Sequence, residues 1–228
     1  MVTEALRSST PSPSSDGRLH SPPKSGGRFP LGARLWHKNG VKAPNEARRV
    51  PRPLNAEQLR ELALRYVGKY ATTRAKLRQY LTRKLRERGW DGDDGPDLEQ
   101  IAERFAELGL VDDAAYALAK SRSLSARGYG KRRLVDQLRQ AGVEELDGAD
   151  ASAHADDAAV DAALNLARRR RIGPFSSVPP DPQQREKWIA AMVRAGHGFA
   201  IAKAISGLPP DPKVDLDQLR DRFRFIVA

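Results

Sequence analysis

Leu81-Thr82-Arg83-Lys84-Leu85-Arg86-Glu87-Arg88-Gly89 is the stretch that decides the fold. Its two leucines stand four and eight positions before a glycine, so both lie on one face of a helix that the glycine closes. The arrangement recurs with Leu138 and Leu134 before Gly142, and with Met192 and Trp188 before Gly196. The glycines are 53 and 54 residues apart, which marks a repeat of that length. Each repeat has room for three short helices.

Caps and apolar spacing supply the remaining helices. Asn55 followed by Gln58 forms a capping box, and Leu59, Leu62, Ala63, Tyr66 and Val67 make one stripe. Thr72 or Thr73 caps the helix carrying Leu77, Leu81 and Leu85. Leu98, Ile101, Ala102, Phe105 and Leu108 give a third helix, ended by Gly109, and Asp112 caps a fourth containing Tyr116 and Ala119. Further helices are expected over about 130–141, 144–150, 156–171, 182–195 and 198–206. No segment alternates with a period of two, so the expected class is all-α.

Composition narrows the function. The 228 residues hold 40 Lys+Arg against 29 Asp+Glu and no cysteine. Disulfide frameworks, thiol nucleophiles and thiolate metal sites are therefore excluded. The longest uncharged apolar run, Ala114–Ala119, is far below the roughly 20 residues needed to cross a bilayer. With no apolar signal region near residue 1 either, a soluble cytoplasmic protein is expected. Residues 1–55 carry 10 basic and 3 acidic side chains and 20 Ser, Pro or Gly, and read as a disordered basic tail. In the remainder the charge alternates: +7 over 56–90, −8 over 91–113, +6 over 114–142 and −7 over 143–163. Such blocks would set basic and acidic surfaces apart and suit a polyanionic partner.

No catalytic constellation is legible. His20, His37, His154 and His197 have no histidine partner at helical spacing, and no Walker loop, nucleophile elbow or dinucleotide fingerprint is present. The acidic pairs Asp112–Asp113 and Asp156–Asp157 read as helix-start caps. The most suggestive stretch is Gly128-Tyr129-Gly130-Lys131-Arg132-Arg133. Its glycines serve either a tight turn or close approach to a ligand. The cations at the following helix N-terminus suit an anionic partner. Arg78 and Lys84 belong to a basic helix able to lie along a phosphate backbone, and Arg168–Arg171 form a cluster at a helix C-terminus.

The run Gly109-Leu110-Val111-Asp112-Asp113-Ala114-Ala115-Tyr116-Ala117 is continued by Ser121-Arg122, Arg127-Gly128-Tyr129-Gly130, Leu134, Leu138 and Gly142-Val143. It resembles the RecX family, regulators of the RecA recombinase. Ala63-Leu64-Arg65-Tyr66 with Thr73, Leu77, Leu81, Lys84-Leu85 and Gly89 resembles the family's opening pattern, and Ala162–Arg169 with Trp188–Ile205 its third repeat. Leu110 and His197 depart from aromatics common in the family. The resemblance implies tandem three-helix repeats in an elongated, curved protein. It also implies binding in the groove of RecA filaments on DNA, with inhibition of ATP hydrolysis, strand exchange and coprotease activity.

The expected organisation is a tail at 1–55, three-helix repeats at 56–110, 111–152 and 153–208, and a C-terminal tail or short helix at 209–228. The expected function is that of a non-enzymatic, monomeric regulator without cofactor or metal. Its partners would be RecA and, through electrostatic contacts, single-stranded and double-stranded DNA. Arg78, Lys84, Arg127, Lys131, Arg132 and Arg133 are the candidate partner contacts. Gly89, Gly109, Asp112, Asp113, Tyr116, Gly128, Gly130 and Gly142 are the candidate structural residues. The main rival is a helix-turn-helix transcription factor. An RNA-binding helical repeat and an enzyme rank below it.

Overall fold

A computed structural model describes residues 52–227. Ten α-helices make up this part: α1 (Ala56–Lys69), α2 (Arg74–Arg88), α3 (Leu98–Glu107), α4 (Asp113–Ala126), α5 (Lys131–Gln140), α6 (Ala149–Asp157), α7 (Ala159–Arg170), α8 (Pro182–Arg194), α9 (Phe199–Ser206) and α10 (Leu216–Val227). A 3-10 turn spans Gly173–Phe175. Among the described residues there is no strand, only an isolated bridge between Leu54 and Trp90.

The local signals act where the sequence places them. The Asn55 side chain accepts from the Gln58 amide at 2.9 Å, and Gln58 reaches back to the Asn55 amide. Thr73 rather than Thr72 caps α2, and Asp112 caps α4 by accepting from the Ala115 amide at 2.7 Å. Gly89, Gly142 and Gly196 all take positive φ, at 83°, 68° and 97°. Leu81, Leu134, Leu138 and Met192 before them are buried.

Three apolar cores result. The first joins Leu54, Leu59, Leu77, Leu81 and Phe105; the second joins Ala117, Leu124, Leu134, Leu138, Ala151 and Ala155. The third joins Leu164, Ile172, Met192, Ile201, Ile205, Leu219 and Phe223. Burying each large side chain contributes about 1.5–3 kcal/mol. The alanine-rich second core therefore has the least apolar material to hold it.

Several expectations need correction. The tail was expected to run to residue 55; residues 1–51, with His20 and His37, lie outside the described residues. Leu54, however, is fully buried in the first core and exchanges backbone hydrogen bonds with Gly89 and Asp91. The helix expected at 144–150 starts only at Ala149, because 144–148 turn onto Gly148. The helix expected over 156–171 is interrupted at Ala158, so the boundary drawn at 152/153 cuts through α6. Asp156 and Asp157 consequently end a helix instead of starting one. Of the two alternatives for 209–228, a tail or a short helix, the helix is present: α10 sends Leu219 and Phe223 into the third core.

The units meet head to tail. The Thr73 hydroxyl donates to the Ala141 carbonyl at the end of α5, and Gly142 lies against Ala75 in the first turn of α2. One unit further on, the Gly130 amide donates to the Ala195 carbonyl at 3.0 Å and the Arg132 amide to the Gly196 carbonyl at 3.3 Å. In both junctions the carbonyl-rich end of one unit's second helix meets the amide-rich start of the preceding unit's second helix. Opposite ends of two helix dipoles are thereby brought together.

Candidate interaction surfaces

The first turn of α5 carries Lys131, Arg132 and Arg133 and no acidic residue. Cations at this end of a helix oppose its dipole, so local stability does not account for them. Arg132 and Arg133 are exposed and form no ion pair with another described residue, whereas Lys131 bonds Asp156 on α6. A groove of about 530 Å³ opens beside them, lined by Val135, Asp136, His197, Ile201 and Ile226 among others. Most of the turn's backbone amides are occupied within the fold. The Gly130 and Arg132 amides are already bonded, and Gly130 and Gly128 approach the protein's own backbone, at Gly196 and Leu166. Gly128 serves the tight turn, at a φ of 75°, and both glycines pack against the fold's own backbone. The contact surface is made of side chains.

Arg127 is exposed at the end of α4, its guanidinium 5.4 Å from the Tyr129 ring centroid. Its carbonyl accepts from Arg169. This joins Arg127 to the Arg168–Arg171 cluster at the end of α7, a juxtaposition 42 residues of separation kept out of the sequence reading. Arg78 and Lys84 are half-buried and paired with Glu99 and Glu87, and the Lys84 bond holds the Glu87 carboxyl below its usual range. Such exposed pairs exchange readily with a stronger anion.

The charge blocks do not stand apart. Arg78 of the first basic block meets Glu99 of the first acidic block, and Lys131 meets Asp156. Arg74 reaches both Asp113 and Asp147. The blocks alternate along the chain because successive helices pair across them.

Asp113 and Tyr116 also depart from their expected roles. Asp113 is buried beside the capping residue, and it accepts from the Arg74 amide at 2.9 Å and from Arg74 Nε at 3.4 Å. It therefore ties the first unit to the second. Tyr116 is half-buried and outside the cores; its hydroxyl and ring both meet Lys76, whose amine lies 4.5 Å from the ring centroid. His197 is buried, with Nε2 at 3.1 Å from the Gly128 carbonyl. Burial pushes its pKa down, and the Gly128 bond opposes that shift. Two features escaped the sequence reading: the Arg74–Asp113 link and a stack of Tyr66 on Tyr80. The tyrosine spacing was its only signal.

Among the described residues, no group of three His, Asp or Glu side chains could hold a metal ion, and no helix is long and apolar enough to cross a membrane. Three-helix units joined head to tail define a helical-repeat protein, with basic side chains beside its open grooves. The family model for RecX, second three-helix domain, matches residues 112–151. Regulatory protein RecX of Myxococcus xanthus is 34% identical over 163 residues, covering 68% of this chain and 87% of that protein. Its counterpart from Agrobacterium fabrum is 31% identical over 162 residues, covering 69% and 86%. The crystal structure of RecX from Lactobacillus salivarius superposes with a TM-score of 0.48 at 20% identity, covering 65% of this chain and 92% of that one. The chain belongs to the RecX family of regulatory proteins.

Proposed function

We propose that this protein binds the RecA recombinase filament on single-stranded DNA and restrains its ATP hydrolysis, strand exchange and coprotease activity. The observation that carries the reading is the exposed Arg132–Arg133 pair beside the inter-unit groove, without an ion pair among the described residues. These cations weaken their own helix N-terminus, a cost that an anionic partner offsets. The proposed contacts are Arg132, Arg133 and Lys131, with Arg127 and the α7 arginines adjoining, and Arg78 and Lys84 on the first unit. The protein acts by occupying the filament and not by chemistry of its own.

The helix-turn-helix alternative is weaker. A recognition helix presents its N-terminal residues to base edges. Here the starts of α2 and α5 are packed against Gly142 and Gly196 of the following units. The direct test is co-sedimentation with RecA filaments formed on single-stranded DNA. The reading expects saturable binding that persists when free duplex DNA is added, and binding lost to free duplex would refute it.

A further inference from the structure

We propose that the face shared by α1 and α2 is a stacking site for unpaired bases of a single-stranded nucleic acid. Three of the chain's five tyrosines gather there. The Tyr66 and Tyr80 rings stack with centroids 4.1 Å apart and planes 9° from parallel. Tyr70 stands at the end of α1 with its centroid 5.4 Å from that of Tyr66, tilted by 50° and 49% exposed. Tyr66 and Tyr80 also cover the first core, but Tyr70 lies outside it. An apolar cover alone therefore does not explain the group.

The surroundings are cationic. Together with Arg65, Lys69, Arg83 and Lys84, the tyrosines line a groove of about 530 Å³. The Lys69 amine lies 5.3 Å from the Tyr70 centroid, and Arg83 and Lys84 lie 5.6 and 5.9 Å from that of Tyr80. Arg65, Arg83 and Lys84 have carboxylate partners, Glu61 and Glu87, one turn away on exposed helix surface. Pairs of that kind contribute little and give way to a phosphate. Lys69 has no ion pair with another described residue.

An aromatic platform ringed by cations has the composition of a surface that tracks single strands, where bases stack on rings and phosphates follow the positive charge. A duplex buries its base faces in its own stack, so the occupant is an unpaired strand. Stacking tolerates any sequence, which predicts binding without base preference. This face is separate from the α5 cations and shares only Lys84 with the proposed filament contacts; its test needs no recombinase and reads the tyrosines, so the two readings can fail separately.

The test uses the full chain without RecA and measures fluorescence anisotropy of a labelled oligo(dT), against an abasic oligonucleotide of the same length. The abasic strand keeps the phosphates and removes the bases. We expect it to bind at least about tenfold more weakly. Tyr70→Ala and Tyr80→Leu should each weaken oligo(dT) binding about 5- to 100-fold and leave abasic binding unchanged, while Tyr80→Phe retains the parent affinity. Tyr70→Ala lies outside the core, so its effect is readable even if Tyr80→Leu loosens the fold, which thermal denaturation reports. Equal affinity for the two strands, or oligo(dT) binding unaffected by Tyr70→Ala in the folded variant, overturns the proposal. An acidic protein segment would then be the better occupant of the groove.

Discussion

The hydroxyl of Thr73 donates to the carbonyl oxygen of Ala141 at 2.6 Å, joining two units across 68 positions of sequence. The Thr73 hydroxyl oxygen in turn accepts from the Lys76 amide and so caps α2. One buried hydroxyl thus serves both the start of a helix and the junction to the next unit. Thr73→Val keeps the shape and removes both bonds. We expect a loss of about 2–4 kcal/mol in urea denaturation, combining a lost cap with an unpaired buried carbonyl. Thr73→Ser should recover most of it. A valine variant as stable as the parent would contradict the junction.

Gly196 occupies the corresponding joint at the far side of α5. A methyl group there would stand 2.5 Å from the Arg133 nitrogen and 2.9 Å from the Gly130 oxygen, at a φ of +97°. Gly196→Ala should cost about 2 kcal/mol or more, from strain plus displaced backbone. Gly68, in the last turn of α1, has open space around it, so Gly68→Ala should be stabilising by up to about 1 kcal/mol. Opposite signs in thermal denaturation are the expected result.

Asp113 is buried in its pair with the half-buried Arg74, whereas Glu99 in the Arg78–Glu99 pair is exposed. Asp113→Ala leaves the Arg74 amide and Nε without their acceptor, while Asp147 still holds the far end of the guanidinium, and should cost about 1–3 kcal/mol. Glu99→Gln should change stability by less than about 1 kcal/mol. Comparable losses in the two variants would show that burial does not separate the pairs.

His197 makes stability depend on pH. Burial lowers its pKa in the folded protein, so near neutral pH both folded and unfolded chains hold it uncharged. As pH falls through about 6.5 the unfolded chain takes up the proton first, and stability drops until the folded-state pKa is passed. Urea midpoints should therefore fall more steeply between about pH 7.5 and pH 5 for the parent than for His197→Gln. Parallel slopes would contradict this assignment.

Charge reversal of Lys131, Arg132 and Arg133 to Glu should leave helical circular dichroism intact, since carboxylates suit the start of α5. Binding to the recombinase filament should weaken at least about tenfold, the scale set by losing several charged contacts at once. Unchanged binding would remove these residues from the interface.

What the sequence made legible was local. Asn55, Thr73 and Asp112 act on amides three residues away, so their roles show in short windows. Gly89, Gly142 and Gly196 repeat a backbone requirement, so alignment found them. The break at Ala158 carries neither glycine nor proline, and an alanine-rich run reads as one helix through it. Asp113 looked like a second cap because its partner Arg74 is 39 residues away. Leu54 falls inside the expected tail, and 209–228 stay open between a tail and a short helix, because the cores that bury Leu54 and α10 form only in three dimensions. Of the candidate surface, the α5 cations were legible as a run of charge. The Arg127–Arg169 contact and the tyrosine face needed the fold.

The central claim is most directly tested by the ATPase rate of the cognate RecA on single-stranded DNA as this protein is added at substoichiometric levels. We predict inhibition that persists when excess free DNA is supplied, because the protein acts on the filament itself. No inhibition, or inhibition abolished by excess DNA, would contradict the account and leave a protein that merely competes for the strand.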